Sequence, residues 1–309
     1  MNILRKYGIW ALLIAVALEY FFAAGLSDGR LHVYALNIGQ GDSLLIRTPS
    51  DRFILVDGGP DDSVLNQMAD VMPFYRRDIA LVILTHPHPD HVNGLVEVVR
   101  RYNVARVIMT GIDYHDAGYT AFMEAIAGRG VPVKFADGKD MVLGDDNGDG
   151  SDAGAGSGSG ATNPDYGDRA VTLDFLYPLS SIQGRSFVNI NNSSIVFRLI
   201  YGKTVILFEG DCEVECERKI LESAAVTGAD LSADVLKVGH HGSRTSSSEA
   251  MLDAVNPTYA VISCGVDNSF KHPHPETISK LQARGVRIYR TDIDGRVEFV
   301  SDGERVTAP

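Results

Sequence analysis

The chain has 309 residues, of which 45% are hydrophobic and 22% charged, with 28 Lys and Arg against 40 Asp and Glu and a net charge of −12. That length and balance fit a globular protein with one large core or two moderate ones. They exclude a surface broadly coated in positive charge for nucleic acid, while leaving room for a locally basic cleft. Three cysteines are too few for a disulfide scaffold. Cys212 and Cys216, four apart and expected on one helix face, read with Cys264 as small buried residues.

At the N-terminus, Arg5 and Lys6 precede residues 7–26, a mainly apolar stretch whose one charge is Glu19. At ~1.5 Å per residue it is long enough to cross a bilayer. The basic residues before it predict an N-terminus held inside and an exported remainder. Read instead as a cleaved signal, residues 9–18 are its apolar core, and Ala23, Ala24 and Gly25 its small-residue exit. Both readings make residues 1–27 a signal anchor or signal peptide and 28–309 one folded domain, membrane-anchored outside the cytoplasm or secreted.

Residues 31–35, 44–46 and 53–56 read as strands, separated by Gly39-Gln40-Gly41-Asp42 and closed by Asp57-Gly58-Gly59. Glycines at 39 and 41 permit positive φ or close backbone approach. Residues 79–84 form an apolar run expected to be a buried strand, and an apolar-periodic segment from Val96 to Tyr102 reads as the following helix. Between them lie His86, His88, Asp90 and His91, on a loop that Pro87 and Pro89 stiffen. Neutral imidazoles and a carboxylate suit a borderline divalent metal such as zinc. His86 and His88 are placed to face one ion, and Asp90 and His91 a second. A surface loop that is His-rich by accident explains the pattern less well, since three of the chain's nine histidines fall within six positions.

Helix and strand then alternate to residue 135, with His115 read as a surface residue. Residues 144–167 are Gly, Asp, Ser, Ala and Asn with almost nothing to bury, and read as a flexible insertion. Asp145, Asn147, Asp149 and Gly150 match the opening of a calcium loop, but position twelve is Gly156 rather than Glu, so a solvated linker is the better reading. Strands resume at 171–177 and around Tyr201-Gly202. One strand ends at Glu209-Gly210-Asp211, where a carboxylate suits the bridge of a two-metal site. Another delivers His240 and His241. One of that pair is expected to ligate metal, the other to meet substrate phosphate or carry a proton. Lys271-His272-Pro273 follows a further strand. Ser243 is not flanked by a Gly-x-Ser-x-Gly elbow.

The run His86-x-His88-x-Asp90-His91 resembles the signature of the metallo-β-lactamase fold superfamily. Gly39-Gln40-Gly41-Asp42, Asn191-Asn192-x-Ser194 and Lys271-His272-Pro273 resemble its ComEC branch, the lactamase-like domain attached to competence DNA-uptake channels. The resemblance covers nearly all of residues 31–295. It implies an α/β fold, a four-layer αβ/βα sandwich with two divalent ions, Zn²⁺ or Mn²⁺, at one edge of its sheets. His86, His88, Asp90, His91, Asp211 and His240 or His241 would be the ligands, with Asp90, Asp211, His240 and His241 in catalysis. Asp57, in what resembles the superfamily's first motif, and Asp42 would orient ligands from behind. Many relatives carry a third histidine near residue 191; here Asn191 stands at that corner. Asn191, Lys237, Arg244, Lys271 and His272 are expected to contact an anionic substrate. The resemblance implies single-stranded DNA degradation at the cell surface, with a separate uptake channel as partner. The alternatives are a phosphodiesterase for phosphorylcholine polymers or nucleotides, and a non-catalytic metal-binding module.

Because residues 144–167 offer no apolar surface, replacing them with a short linker is expected to leave soluble expression and metal content unchanged. Metal analysis and circular dichroism of the deletion protein check this; loss of either property would make the segment structural.

Overall fold

Apolar runs without polar alternation need cover on both faces. The structure, a computed structural model, shows how the chain supplies it. It describes residues 27–143 and 170–309, together with helical positions Tyr7, Trp10, Leu12 and Leu13. Apart from those positions, the segment expected to span or leave through a membrane lies outside the described residues, as do the insertion and its partial calcium loop. Among the described residues no helix is long and apolar enough to cross a membrane.

The first half contains β1 (Leu31–Ala35), β2 (Leu44–Arg47), β3 (Phe53–Val56), α1 (Ser63–Val71), β4 (Asp78–Ile79), β5 (Leu81–Leu84), α2 (Pro89–Arg101), β6 (Asn103–Val104), β7 (Val107–Met109), α3 (Ala117–Arg129), β8 (Val133–Phe135) and β9 (Met141–Leu143). The second contains β10 (Val171–Tyr177), β11 (Val196–Tyr201), β12 (Thr204–Phe208), α4 (Val214–Thr227), β13 (Val235–Lys237), α5 (Glu249–Val255), β14 (Tyr259–Ile262), α6 (Pro275–Ala283), β15 (Arg287–Arg290), α7 (Thr291–Asp294), β16 (Val297–Ser301) and β17 (Val306–Thr307). An eight-stranded sheet runs β17-β16-β1-β2-β3-β5-β7-β8, and a seven-stranded sheet runs β15-β14-β13-β12-β11-β10-β9.

Side chains sort by strand parity into three cores. Ile54, Val56, Leu81 and Ile83 face Phe197, Leu199, Ile206 and Phe208 between the sheets. Their neighbours Phe53, Leu55, Val82 and Leu84 turn the other way, onto Val92, Leu95, Val98 and Phe122 of α2 and α3. Leu207 and Leu236 likewise meet Cys216, Ile220 and Met251 of α4 and α5. Helix, sheet, sheet, helix is the four-layer αβ/βα order expected.

Strands β3, β5 and β7 are mutually parallel, as are β12, β13, β14 and β15. Their C-terminal ends carry the loops that hold Asp57, His86, Asp211 and His241, and such ends are where open α/β sheets place ligands. Two local expectations are corrected. Helix α2 begins at Pro89 with His88 as its N-cap, so Asp90 and His91 lie in its first turn rather than on the loop; proline at N1 has the helical φ already set. Cys212 and Cys216 are joined in a disulfide. Cys212 sits in the turn before α4 and Cys216 inside it, which brings their Cα atoms within 5.5 Å, so only Cys264 is a free buried thiol.

Away from this edge, Asp174 on β10 pairs with Arg198 on β11 (Oδ2 to Nε 2.7 Å). Asp140, just before β9, shares that region; burial and the Asp174 charge push its carboxyl up to about 6 from 3.8. A carboxyl whose folded pKa is raised binds more protons when folded, so stability falls as pH rises from about 4 to about 6 and stays lower above that. Asp140→Asn is therefore expected to stabilise the protein at pH 7.5 by ~1 kcal/mol, after discounting for half-exposure. Thermal melts should show the gain vanish near pH 4.

Candidate metal centre

Asp211 stands at the end of β12, 2% exposed, where its N–H donates to Ser194 Oγ (3.1 Å). Its Oδ2 lies 3.4 Å from His91 Nε2, 3.5 Å from His241 Nε2, 3.7 Å from His86 Nε2 and 3.9 Å from His240 Nε2. One carboxylate oxygen thus faces four imidazoles drawn from both halves of the chain. Four overlapping groups of potential ligand atoms converge among the described residues: His86, His88 and Asp211; Asp90, His91 and His241; Asp42, Asp57 and His91; and Asp42, Asp211 and His241.

These side chains are held from behind. Asp57 Oδ1 accepts from Thr85 N (2.8 Å), while Oδ2 accepts from Thr85 Oγ1 (2.7 Å) and His91 Nδ1 (2.8 Å). His241 Nδ1 donates to Ser263 O (3.0 Å). With Nδ1 of each ring occupied as a donor, the Nε2 lone pair is left facing the cluster. His86 Nδ1 lies 3.2 Å from Thr85 Oγ1. The loop of Gly39 to Asp42 packs directly on the first turn of α2: Asp42 N donates to Asp90 O (3.2 Å), and a Cβ at Gly41 would sit 2.3 Å from that same oxygen. Gly94 is constrained in the same way, since a Cβ there would meet Gly58 O at 2.0 Å.

The turn that carries His240 and His241 is strained. Both have positive φ, 49° and 53°, which non-glycine residues adopt at a cost of order 1–2 kcal/mol each. The twist separates their roles. His241 is 1% exposed and has Nε2 3.3 Å from Asp90 Oδ2. His240 is turned outward, with Nδ1 3.1 Å from Thr245 Oγ1 and 3.2 Å from Glu213 Oε1. Of the two, it is the ring of His241 that lies within the groups of converging ligand atoms.

Divalent cations fit these residues. His91 Nε2, His241 Nε2 and Asp211 Oδ1 are buried without a hydrogen-bond partner, a condition that costs about 1–3 kcal/mol per atom unless something else binds them. Electrostatics agree. Burial works to lower the pKa of His91 and His241, yet Asp211 with Asp57 and Asp42 outweighs it and raises both well above the usual range. Burial works the other way on Asp211, and His241 and His91 hold it far below the usual carboxylate range. A carboxylate cluster that attracts protons this strongly attracts cations for the same reason.

Lys237 does not reach a substrate: it is 1% exposed, with Nζ 2.7 Å from Asp42 Oδ2 and donating to Val238 O (2.9 Å). Its position on the short strand β13, buried on both faces, directs it into the protein, where a buried charge needs a partner. Asn191 donates to Glu213 Oε1 (2.9 Å) and adjoins His240 rather than His86 and His88. His272 is 8% exposed and stacks by His241, and burial with His241 and His240 nearby pushes it down to about 4. Arg244 and Lys271 are exposed on the rim. Sequence reasoning missed Thr85, Ser263, Glu213, Thr245 and Tyr114, whose ring meets His88 at 6.0 Å. Thr85 was the most accessible of these, being adjacent to His86.

A family model described as the metallo-beta-lactamase superfamily matches residues 36–266. Competence protein ComA of Neisseria gonorrhoeae is 27% identical over 294 residues, covering 94% of this chain and 35% of that protein. ComE operon protein 3 of Bacillus subtilis is 25% identical over 290 residues, 88% of this chain and 33% of its own length. Recombination protein 2 of Haemophilus influenzae is 26% identical over 310 residues, 98% and 33%. The chain thus spans about a third of the length of these relatives.

Asp57→Asn keeps the shape but turns an amide toward donors. Metal affinity is expected to fall 10–100-fold while the fold survives. Competition against a fluorescent chelator measures this; parental affinity in the variant would show that Asp57 does not orient His91.

Proposed function

We propose that this chain, which belongs to the metallo-beta-lactamase superfamily, is a phosphodiesterase acting on single-stranded DNA with two divalent ions, Zn²⁺ or Mn²⁺. The observation that carries the metal-dependent reading is the convergence of unpartnered His91 Nε2, His241 Nε2 and Asp211 Oδ1. The competence relatives support the substrate.

His86, His88 and Asp211 would hold one ion, and Asp90, His91, His241 and Asp211 the other. When bound, such a pair supplies a hydroxide nucleophile near neutral pH and neutralises charge on a phosphodiester's oxygens. The chain's own residues do the rest. Asp90, its side chain 30% exposed beside buried His241, is the accessible carboxylate for holding the attacking water. His240, braced by Glu213 and Thr245, stands at the mouth of the cluster to protonate the leaving oxygen. Arg244 and Lys271 place positive charge on the rim of an acidic protein, and His272 and Asn191 line the approach. The Cys212–Cys216 disulfide supports a location outside the cytoplasm, where such bonds persist. There the chain would be membrane-anchored or secreted and work with a DNA-uptake channel.

One observation favours a second substrate. A groove of about 620 Å³ beside His240 is lined by Phe187, Val188, Glu213 and Glu215. An aromatic ring with carboxylates suits a quaternary ammonium such as the choline of a phosphorylcholine polymer.

A substrate panel on the metal-loaded protein tests both: single-stranded DNA, a phosphorylcholine diester and bis-p-nitrophenyl phosphate, each before and after a chelator. Asp211→Ala is expected to lose bound metal and about a thousandfold or more in turnover. Lys271→Ala should keep its metal and show a raised KM for DNA that converges on the parent as salt rises. Full metal and full activity in Asp211→Ala would end the two-metal reading.

A further inference from the structure

Three rings form a ladder from the metal cluster to solvent. His272 stacks near His241 with centroids 6.2 Å apart and planes 29° apart. Phe270 stacks on His272 at 5.7 Å and 21°. Exposure rises along it from 1% at His241 to 8% at His272 and 60% at Phe270. A single exposed phenylalanine is ordinary; this one continues a stack that starts at the reacting centre.

The loop that presents it is fixed. Asn268 Nδ2 donates to Gly265 O (2.9 Å) and His272 O (2.6 Å), and its Oδ1 accepts from His272 N (2.9 Å). Gly265 N is tied to Gln40 Oε1 (3.1 Å) in the other half of the chain. Lys271, next to Phe270, is held at φ 61°, a conformation a lysine adopts only at a cost. Phe270 is therefore held out in the open rather than left there by a loose loop.

Charge indicates what passes over the ring. Lys271 adjoins Phe270, and Arg244 reaches the same wall through His274 (Nη2 to Nε2 3.3 Å), whose ring lies 4.9 Å from His272. Beyond His240 the groove carries Glu213 and Glu215, which repel a phosphate chain. A polyanion whose reacting phosphate sat at the cluster would meet less repulsion on the side of Lys271 and Arg244, even with Glu276 3.7 Å from Arg244.

We propose that Phe270 is the stacking platform for the nucleobase next to the phosphate that is cut, which gives the site its preference for single-stranded nucleic acid. This rests on the phosphodiesterase reading above. Every base offers a π face, so such a platform is tolerant of sequence and closed to a paired base. Phe270 is a positioning residue: it holds the strand, and the cluster does the chemistry.

The test uses the metal-loaded chain with a short single strand carrying 2-aminopurine and an abasic strand of equal length. In the parent, binding should quench the 2-aminopurine. In Phe270→Ala the quenching should disappear and KM for the single strand rise about tenfold, the size of one base–aromatic contact, with kcat within about twofold. Phe270→Trp should restore both. On the abasic strand parent and Phe270→Ala should behave alike. Unchanged quenching and KM in Phe270→Ala, with DNA still cleaved, would overturn the platform alone. A parent that hydrolyses bis-p-nitrophenyl phosphate but neither binds nor cuts single-stranded DNA would overturn the platform and the DNA reading together.

Discussion

Everything at the functional edge depends on a carboxylate that cannot be satisfied by protein alone. Asp211 is buried, keeps one oxygen without a partner and directs the other at four imidazoles. An isolated carboxylate in such a place would protonate or unfold its surroundings. The fold resists that by bringing histidines to it from the first turn of α2 and the turn after β13 and fixing their outer nitrogens on Asp57 and Ser263. The two sheets, each covered by helices, supply the rigidity that holds these carboxylates and imidazoles together at one edge. The acidic surface elsewhere follows no such rule and is simply solvated.

Legibility from sequence tracked how local each determinant is. The run from His86 to His91 announces itself because its residues are consecutive and its flanking strand is apolar throughout. Alternate faces of β3 and β5 go to different cores, which is why those strands read as unbroken hydrophobic runs. The four-layer order could be expected from that pattern. What could not be read was geometry set by distant partners. Lys237 looked like a cation for substrate because Asp42, the group that buries it, is far away in the sequence. His240 and His241 look equivalent in the chain; two consecutive left-handed backbones send one inward and the other outward. Glu213, 27 residues away in the sequence, is the brace of His240.

The cysteines make the same point at short range. Four residues apart, they read as one face of a helix, and the bond between them follows from Cys212 lying just ahead of that helix. It fastens the start of α4 to the turn that immediately follows Asp211. A stiff backbone there limits how far the central carboxylate can drift when its neighbours change protonation.

The Asp42–Lys237 pair has a consequence for how the chain must be made. Asp42 comes from the first sheet's side and Lys237 from the second, and both are 1% exposed. The two halves also exchange strands, since β16 of the second pairs with β1 of the first and β9 of the first pairs with β10 of the second. Produced apart, each would lose the partner of one of these charges and open to water the apolar face that packs against the other sheet. The pair therefore binds the halves into one cooperative folding unit, and a split protein should regain its structure only when both fragments are present together, folding as they associate rather than docking as finished pieces.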